Sequence, residues 1–144
     1  PLATLPLVGV LGTGGTASGL VIQGDVIYVW NYAETSVSIG VVDISVPGDP
    51  TLLTVVSIPD LWFKSHYAYG ESFFGMAAEG NRVMFGGNIG IIVLDVSDPA
   101  APTALGRVDP RSYIGGVAPL GSGQWAVAWY QSLEVIEVDA VPVE

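Results

Sequence analysis

The chain has 144 residues, of which 50% are hydrophobic and only 12% are charged. This length fits one domain, and the composition is too apolar for a disordered segment. Fourteen acidic residues against four basic ones give a formal net charge of -10, which would repel a phosphate backbone. We therefore expect neither nucleic acid nor an anionic membrane surface as a partner.

The absence of cysteine excludes disulfides, thiolate chemistry and cysteine-ligated metal sites. No run of residues approaches 18 apolar positions, so we predict no membrane span. The apolar runs at residues 26–30 and 91–94 do not alternate with polar residues. Such runs are typical of strands that are covered on both faces of a sheet.

The first predicted strand in chain order covers residues 6–11, which resemble the later segment 102–107. We expect it to be the closing strand of an earlier repeat unit. The segment 12–16 that follows is Gly-rich, but it lacks the Lys of a phosphate-binding loop and no predicted helix follows it. We interpret it as a turn.

Two full repeat units follow, and both begin with a Gly and end in the same motif. The first unit runs from Gly24 through a strand, a polar hairpin loop at residues 31–35 and a second strand. It ends in Asp43-Ile44-Ser45-Val46-Pro47. The second unit starts at Gly80 and ends in Asp95-Val96-Ser97-Asp98-Pro99. The Asp can accept hydrogen bonds from turn amides, and the proline stops the strand.

The insert between these units, residues 61–74, is rich in aromatic side chains. Its candidate binding residues are Trp62, His66, Tyr67 and Tyr69. The alternative interpretation is a long connection whose aromatic side chains fill the space between units.

The same insert contains residues from which a Ser-His-Asp arrangement can be drawn: Ser65 or Ser72 with His66 and Asp60. No G-x-S-x-G motif accompanies them, and hydroxyl groups near a His are common by chance. We therefore predict no catalytic residues and no enzymatic activity.

A third, less regular unit covers residues 123–128 and 133–139 and lacks the Ser-x-Pro turn. Trp125 and Trp129 are four positions apart, so they share one face of a strand. We expect both to fill a layer between units; stacking on a sugar ring is the alternative.

Asp43, Asp95 and Glu137 occupy equivalent positions in the three units, as do Pro47 and Pro99 in the first two. We interpret the carboxylates as structural, each capping one turn. The alternative is a ring of carboxylates that binds Ca²⁺. We expect no cofactor and no metal site, with Ca²⁺ as the weaker alternative.

The spacing between these carboxylates is 52 residues in one case and 42 in the other, close to the length of a propeller blade. Each unit offers about four short strands, and no segment predicts a substantial helix. We therefore predict an all-β fold: a partial β-propeller of about three four-stranded blades. The approximate units are residues 18–58, 75–109 and 115–139, and residues 1–12 end a preceding blade.

The motif of an apolar strand followed by Asp, Ile or Val, Ser, x, Pro, x, x, Pro resembles the LVIVD repeat of bacterial and archaeal surface or secreted proteins. It is also similar to secreted propellers distantly related to WD-repeats. The resemblance covers residues 6–139. Together with the acidity and the absence of cysteine, it implies an extracellular, periplasmic or cell-surface location. The repeat type, the acidic composition and the missing catalytic motif favour a non-enzymatic, structural or protein-interaction role, in which the propeller rim binds another protein.

Three blades would leave two apolar sheet faces bare, whereas propellers close with four to eight blades. We therefore expect other polypeptide to complete the ring: the rest of a longer precursor, a second fragment or other copies of this chain. Two copies would give six blades. The alternative functions are support for the active site of an enzyme whose catalytic residues lie elsewhere, and carbohydrate or cell-surface recognition through residues 61–74.

Overall fold

The computed structural model describes residues 7, 9–12, 16–33, 36–58, 73–87, 90–108, 114–129 and 131–138. These residues form three antiparallel sheets and no helix. The first sheet contains β1 (Thr16–Gln23), β2 (Val26–Ala33), β3 (Ser36–Asp43) and β4 (Thr51–Ser57). The second contains β5 (Phe73–Glu79), β6 (Arg82–Gly87), β7 (Gly90–Asp95) and β8 (Thr103–Val108). The third contains β9 (Ile114–Gly121), β10 (Gln124–Trp129) and β11 (Leu133–Glu137).

Within each sheet the strands are hydrogen-bonded in chain order, so every sheet is an antiparallel meander. The first strands of the three sheets lie side by side, because β1 contacts β5 and β5 contacts β9. This arrangement is that of propeller blades around an axis, and it confirms the predicted all-β partial propeller. The first two blades have four strands, and the third has three among the described residues.

The turn between the first two strands of each blade contains a residue with positive φ. Gly24 and Gly80 have φ of 57° and 55° at the first turn position, as expected for a type II′ hairpin turn. In the third blade Ser122 and Gly123 both have positive φ, 54° and 79°, as in a type I′ turn. Ser122 is thus the one described residue other than Gly in this left-handed conformation.

Residues 31–33 of the predicted hairpin loop at 31–35 belong to a strand instead, and residues 34–35 lie outside the described residues. β2 continues to Ala33 and β3 begins at Ser36, with Asn31 paired to Ser38. The two strands have eight residues each, whereas β6 and β7 have six. The prediction was wrong for residues 31–33 because the antiparallel ladder continues through polar residues.

The expected strand at residues 6–11 is also absent from the described part of that segment, because residues 7 and 9–12 are not in a strand. Gly9 instead lies against the turn that follows β3. A Cβ atom at Gly9 would collide with the carbonyl oxygen of Pro47, so the close approach depends on glycine. The assignment of residues 1–12 to a preceding blade stays a prediction.

Candidate interaction surface

Each blade has two faces, which we name by the neighbouring blade that each one contacts. We call the face that packs on the next blade the following face, and the opposite one the preceding face. In the second blade the following face carries Met84, Ile91 and Val93, and the preceding face carries Phe85 and Leu94. Both faces are buried, because the first blade covers one and the third blade covers the other.

The contact between the first and second blades joins a following face to a preceding face. Tyr28, Ile39 and Val41 of the first blade pack with Phe85 and Leu94 of the second. The rings of Trp30 and Phe85 lie 6.0 Å apart between their centroids, at an interplanar angle of 34°. Burial of these large side chains provides the main free energy that holds the two blades together.

The contact between the second and third blades combines large buried side chains with a glycine that allows close approach. Trp125, Val127 and Trp129 form the preceding face of the third blade, and they pack on the following face of the second. Gly86 makes room for the third blade: a Cβ atom there would lie 3.0 Å from the Val117 side chain. Because both Trp rings are buried, they fill an inter-blade layer as predicted, and the sugar-stacking alternative is excluded for them.

A hydrogen bond across the same contact comes from Arg82 at the start of β6. Its Nη1 donates to the carbonyl oxygen of Val138 in the third blade, at 2.6 Å. Gly123 leaves space for this guanidinium, because a Cβ atom there would lie 3.0 Å from Arg82 Nη1. No sequence pattern indicated this link, since the equivalent positions of the other blades hold Val26 and Gln124.

The following face of the third blade is open to solvent. It carries Leu133 and Val135 on β11 and Ala126 and Ala128 on β10, which are paired strand to strand. Leu133 is 72% exposed and Val135 58% exposed. The equivalent residues of the second blade, Ile91 and Val93, are 0% and 4% exposed. The same repeat positions are therefore core in one blade and surface in another.

The preceding face of the first blade is exposed on its inner strand. Leu20 and Ile22 of β1 are 58% and 54% exposed. Their equivalents in the second blade, Met76 and Ala78, pack against the cluster between the first and second blades. Further out on the same face of the first blade, Val29 and Val42 of β2 and β3 are already buried.

The repeated carboxylates cap turns in the first two blades. Asp43 Oδ1 accepts from the amide of Ser45 at 2.7 Å, and Asp95 Oδ1 accepts from the amide of Ser97 at 2.8 Å. These bonds lower the pKa of Asp43, through the amide and then the hydroxyl of Ser45. The pKa of Asp95 is lowered first by the Ser97 hydroxyl, then by its amide, with a smaller contribution from the charge of Arg82.

The remaining repeat positions lie in the same region of their blades. Pro47 and Pro99 follow these capped turns, and Glu137 ends β11 with its side chain exposed. Across the described ranges, no three His, Asp or Glu side chains come together as metal ligands. Whether Ca²⁺ or any cofactor binds stays a prediction.

The aromatic insert lies outside the described residues, and with it Trp62, His66, Tyr67 and Tyr69. Their assignment as binding residues stays a prediction, as does the interpretation that no catalytic residues are present. In the described part of the chain, no helix is long and apolar enough to cross a membrane.

The number of repeat units predicts two bare apolar faces but does not identify their residues. Leu133 and Val135 are identified as the exposed residues by aligning them with Ile91 and Val93. This alignment requires the strand register as well as the repeat motif.

The family described as LVIVD repeat matches residues 14–57 and 78–110, which together make up more than half of the chain. The two matched stretches contain the Asp-capped turns of the first and second blades. No curated protein matches the chain at a significant level.

Proposed function

The chain belongs to the LVIVD-repeat family, and from this premise we propose that it is a non-enzymatic structural and protein-interaction module of the cell exterior. Its binding surface in this proposal is the following face of the third blade. The exterior location is supported by the resemblance to surface and secreted repeat proteins, and it is compatible with the absence of cysteine and the net charge of -10.

The observation that carries the proposal is the exposure of Leu133 and Val135 at positions that are core elsewhere in the chain. Isolated apolar side chains are common on protein surfaces. These two residues, however, belong to a sheet face lined by Ala126 and Ala128, so the exposed area is continuous. Continuous apolar areas rimmed by polar residues are typical of protein-binding surfaces.

The character of this face favours a protein partner. It is a pleated surface of aliphatic side chains with the pair Gln124 and Glu137 at one end and no described Lys or Arg on it. Such a surface gains free energy by removing apolar area from water, and it offers little to an ionic or strongly polar ligand.

Site-specific photo-crosslinking tests the proposal. A photoreactive residue replaces Val135 in one variant and Val46 in the control. Val46 is 60% exposed, as Val135 is 58% exposed, but it lies in the turn after β3 and on neither blade face. We expect a cross-link from position 135 to a defined site on a polypeptide, and its loss when Leu133→Asp is added. Equal cross-linking from position 46, or none from position 135 in a folded protein, would contradict the proposal.

A further inference from the structure

We infer that the following face of the third blade packs against the preceding face of the first blade in a second copy of this chain. This inference rests on the proposed function and names the partner of the same surface.

The contacts between blades within the chain share one polarity. Both join a following face to a preceding face, and neither joins two faces of the same kind. Among the described residues, two faces lack such a contact: the following face of the third blade and the preceding face of the first. They are of opposite kinds, so a second copy offers each face the type of surface that it already binds inside the chain.

Leu133 and Val135 are exposed at the positions of Ile91 and Val93, which are buried against the next blade. Leu20 and Ile22 are exposed at the positions of Met76 and Ala78, which pack against the blade before. Leu133 and Val135 thus supply the following half of an inter-blade contact, and Leu20 and Ile22 supply the inner strand of the preceding half.

The inner strands of the three blades form a series around the axis. Since β1 contacts β5 and β5 contacts β9, the next strand in this series belongs beside β9. The β1 strand of a second copy would continue the series and bring Leu20 and Ile22 to that place. Val29 and Val42 are already buried in the chain itself, so β1 is the part of the preceding face that remains accessible.

A pair of chains can also close a ring. Two copies supply six blades, which lies within the range of about four to eight blades that closed propellers have. Two equal contacts then form in one particle, and each strengthens the other because the second forms within an already tethered pair.

The experiment measures particle mass by light scattering across a range of protein concentrations. The variants are Val135→Asp on the following face and Leu20→Asp on the preceding face, with Val46→Asp as the matched exposed control. Each variant is first checked for cooperative unfolding, so that a loss of association is not a loss of folding. We expect two chains per particle for the wild type and for Val46→Asp, and one chain for each of the two face variants.

Mixing the two face variants gives the sharpest result. Val135→Asp keeps an intact preceding face, and Leu20→Asp keeps an intact following face, so one contact can still form between them. We expect an equimolar mixture to recover particles of two chains, at higher concentration than the wild type because only one of the two contacts remains.

Three results would overturn the inference. Association of Leu20→Asp with itself would mean that two following faces pack on each other. A wild type that stays a single chain at hundreds of micromolar would exclude a second copy as partner. A cross-link from position 135 to a different polypeptide would do the same, while it would still support the proposed interaction function.

Discussion

The two faces of the third blade belong to the same three strands, yet one is core and the other is surface. On the preceding face Trp125 and Val127 are 0% exposed, and on the following face Leu133 is 72% exposed. The alternation of side chains along each strand sends neighbouring residues to opposite faces. What differs is the neighbour: the second blade covers one face, and no described part of the chain covers the other. Whether a blade face is buried in this fold thus depends on the neighbouring blade and not on the sequence of that face alone.

Truncation on the two faces gives the largest expected difference. We expect Trp125→Ala to lower the free energy of unfolding by about 3–5 kcal/mol, because it removes a large buried side chain and leaves a cavity. Leu133→Ala, below the concentration at which copies associate, should change it by less than about 0.5 kcal/mol. Urea unfolding followed by circular dichroism measures both. Similar losses for the two variants would mean that the following face is already covered in the single chain.

Adding a methyl group at the covered contact should have the next largest effect. A Cβ atom at Gly75 would lie 3.0 Å from the backbone nitrogen of Val117, and backbone cannot move aside as a side chain can. We expect Gly75→Ala to cost about 1–3 kcal/mol in the free energy of unfolding.

The matched control for this substitution is Gly106→Ala, because no atom lies within 4 Å of the added carbon. It should be neutral or should stabilise by a few tenths of a kcal/mol, since alanine is less flexible than glycine in the unfolded chain. Thermal unfolding of the two variants side by side measures the difference. A Gly75→Ala protein as stable as the wild type would show that the second and third blades are not in close contact.

The β9–β10 turn gives a smaller effect of opposite sign. Ser122 has φ of 54°, a conformation that is strained for residues with a side chain. We expect Ser122→Gly to raise the free energy of unfolding by about 0.5–1 kcal/mol, because the strain removed exceeds the extra flexibility gained by the unfolded chain. The same substitution at Ser97, whose hydroxyl bonds Asp95, should destabilise instead. A loss of stability for Ser122→Gly would contradict the left-handed turn.

The smallest expected effect is a pH dependence from the capped turn of the second blade. The pKa of Asp95 is lower in the folded chain than its ordinary value of 3.8, because the Ser97 hydroxyl and amide bond the carboxylate. The carboxylate therefore stabilises the fold fully above the ordinary value, and this contribution is lost as the pH falls through the lower folded pKa.

Urea midpoints of the wild type and of Asp95→Asn between pH 6 and pH 2 test this prediction. We expect the wild type to be more stable at pH 6 and the difference between the two proteins to shrink as the pH falls towards 2. A difference that does not change with pH would mean that the charge of Asp95 contributes nothing to the turn.

The repeat made much of the fold predictable from local patterns. Three of its features depend on residues that are close in the chain: the turns at Gly24 and Gly80, the apolar runs of β2 and β7, and the Asp-x-Ser motif. Turn conformation and strand patterning follow from such short-range chemistry. The prediction of a loop directly after Trp30 was wrong. Hydrogen bonds with β3 stabilise these polar residues as strand, and they outweigh the local preference for a loop.

The candidate interaction surface was predictable only in outline. Three blades in a row must leave two bare faces, and this follows from counting repeats. Arg82 and Val138 are 56 positions apart, and their hydrogen bond appears only when two blades are stacked. Likewise, no local sequence feature indicates that Leu133 and Val135 are exposed whereas Ile91 and Val93 are buried.

The repeat itself can be read from residues near each other along the chain: its strands, most of its turns and the apolar character of both faces of each blade. Those features depend on steric preferences and short-range hydrogen bonds. Which of the equivalent faces are core and which are open becomes visible only when the blades are stacked, because burial depends on what lies across the interface. Equivalent aliphatic side chains are therefore buried in the second blade and exposed on the third.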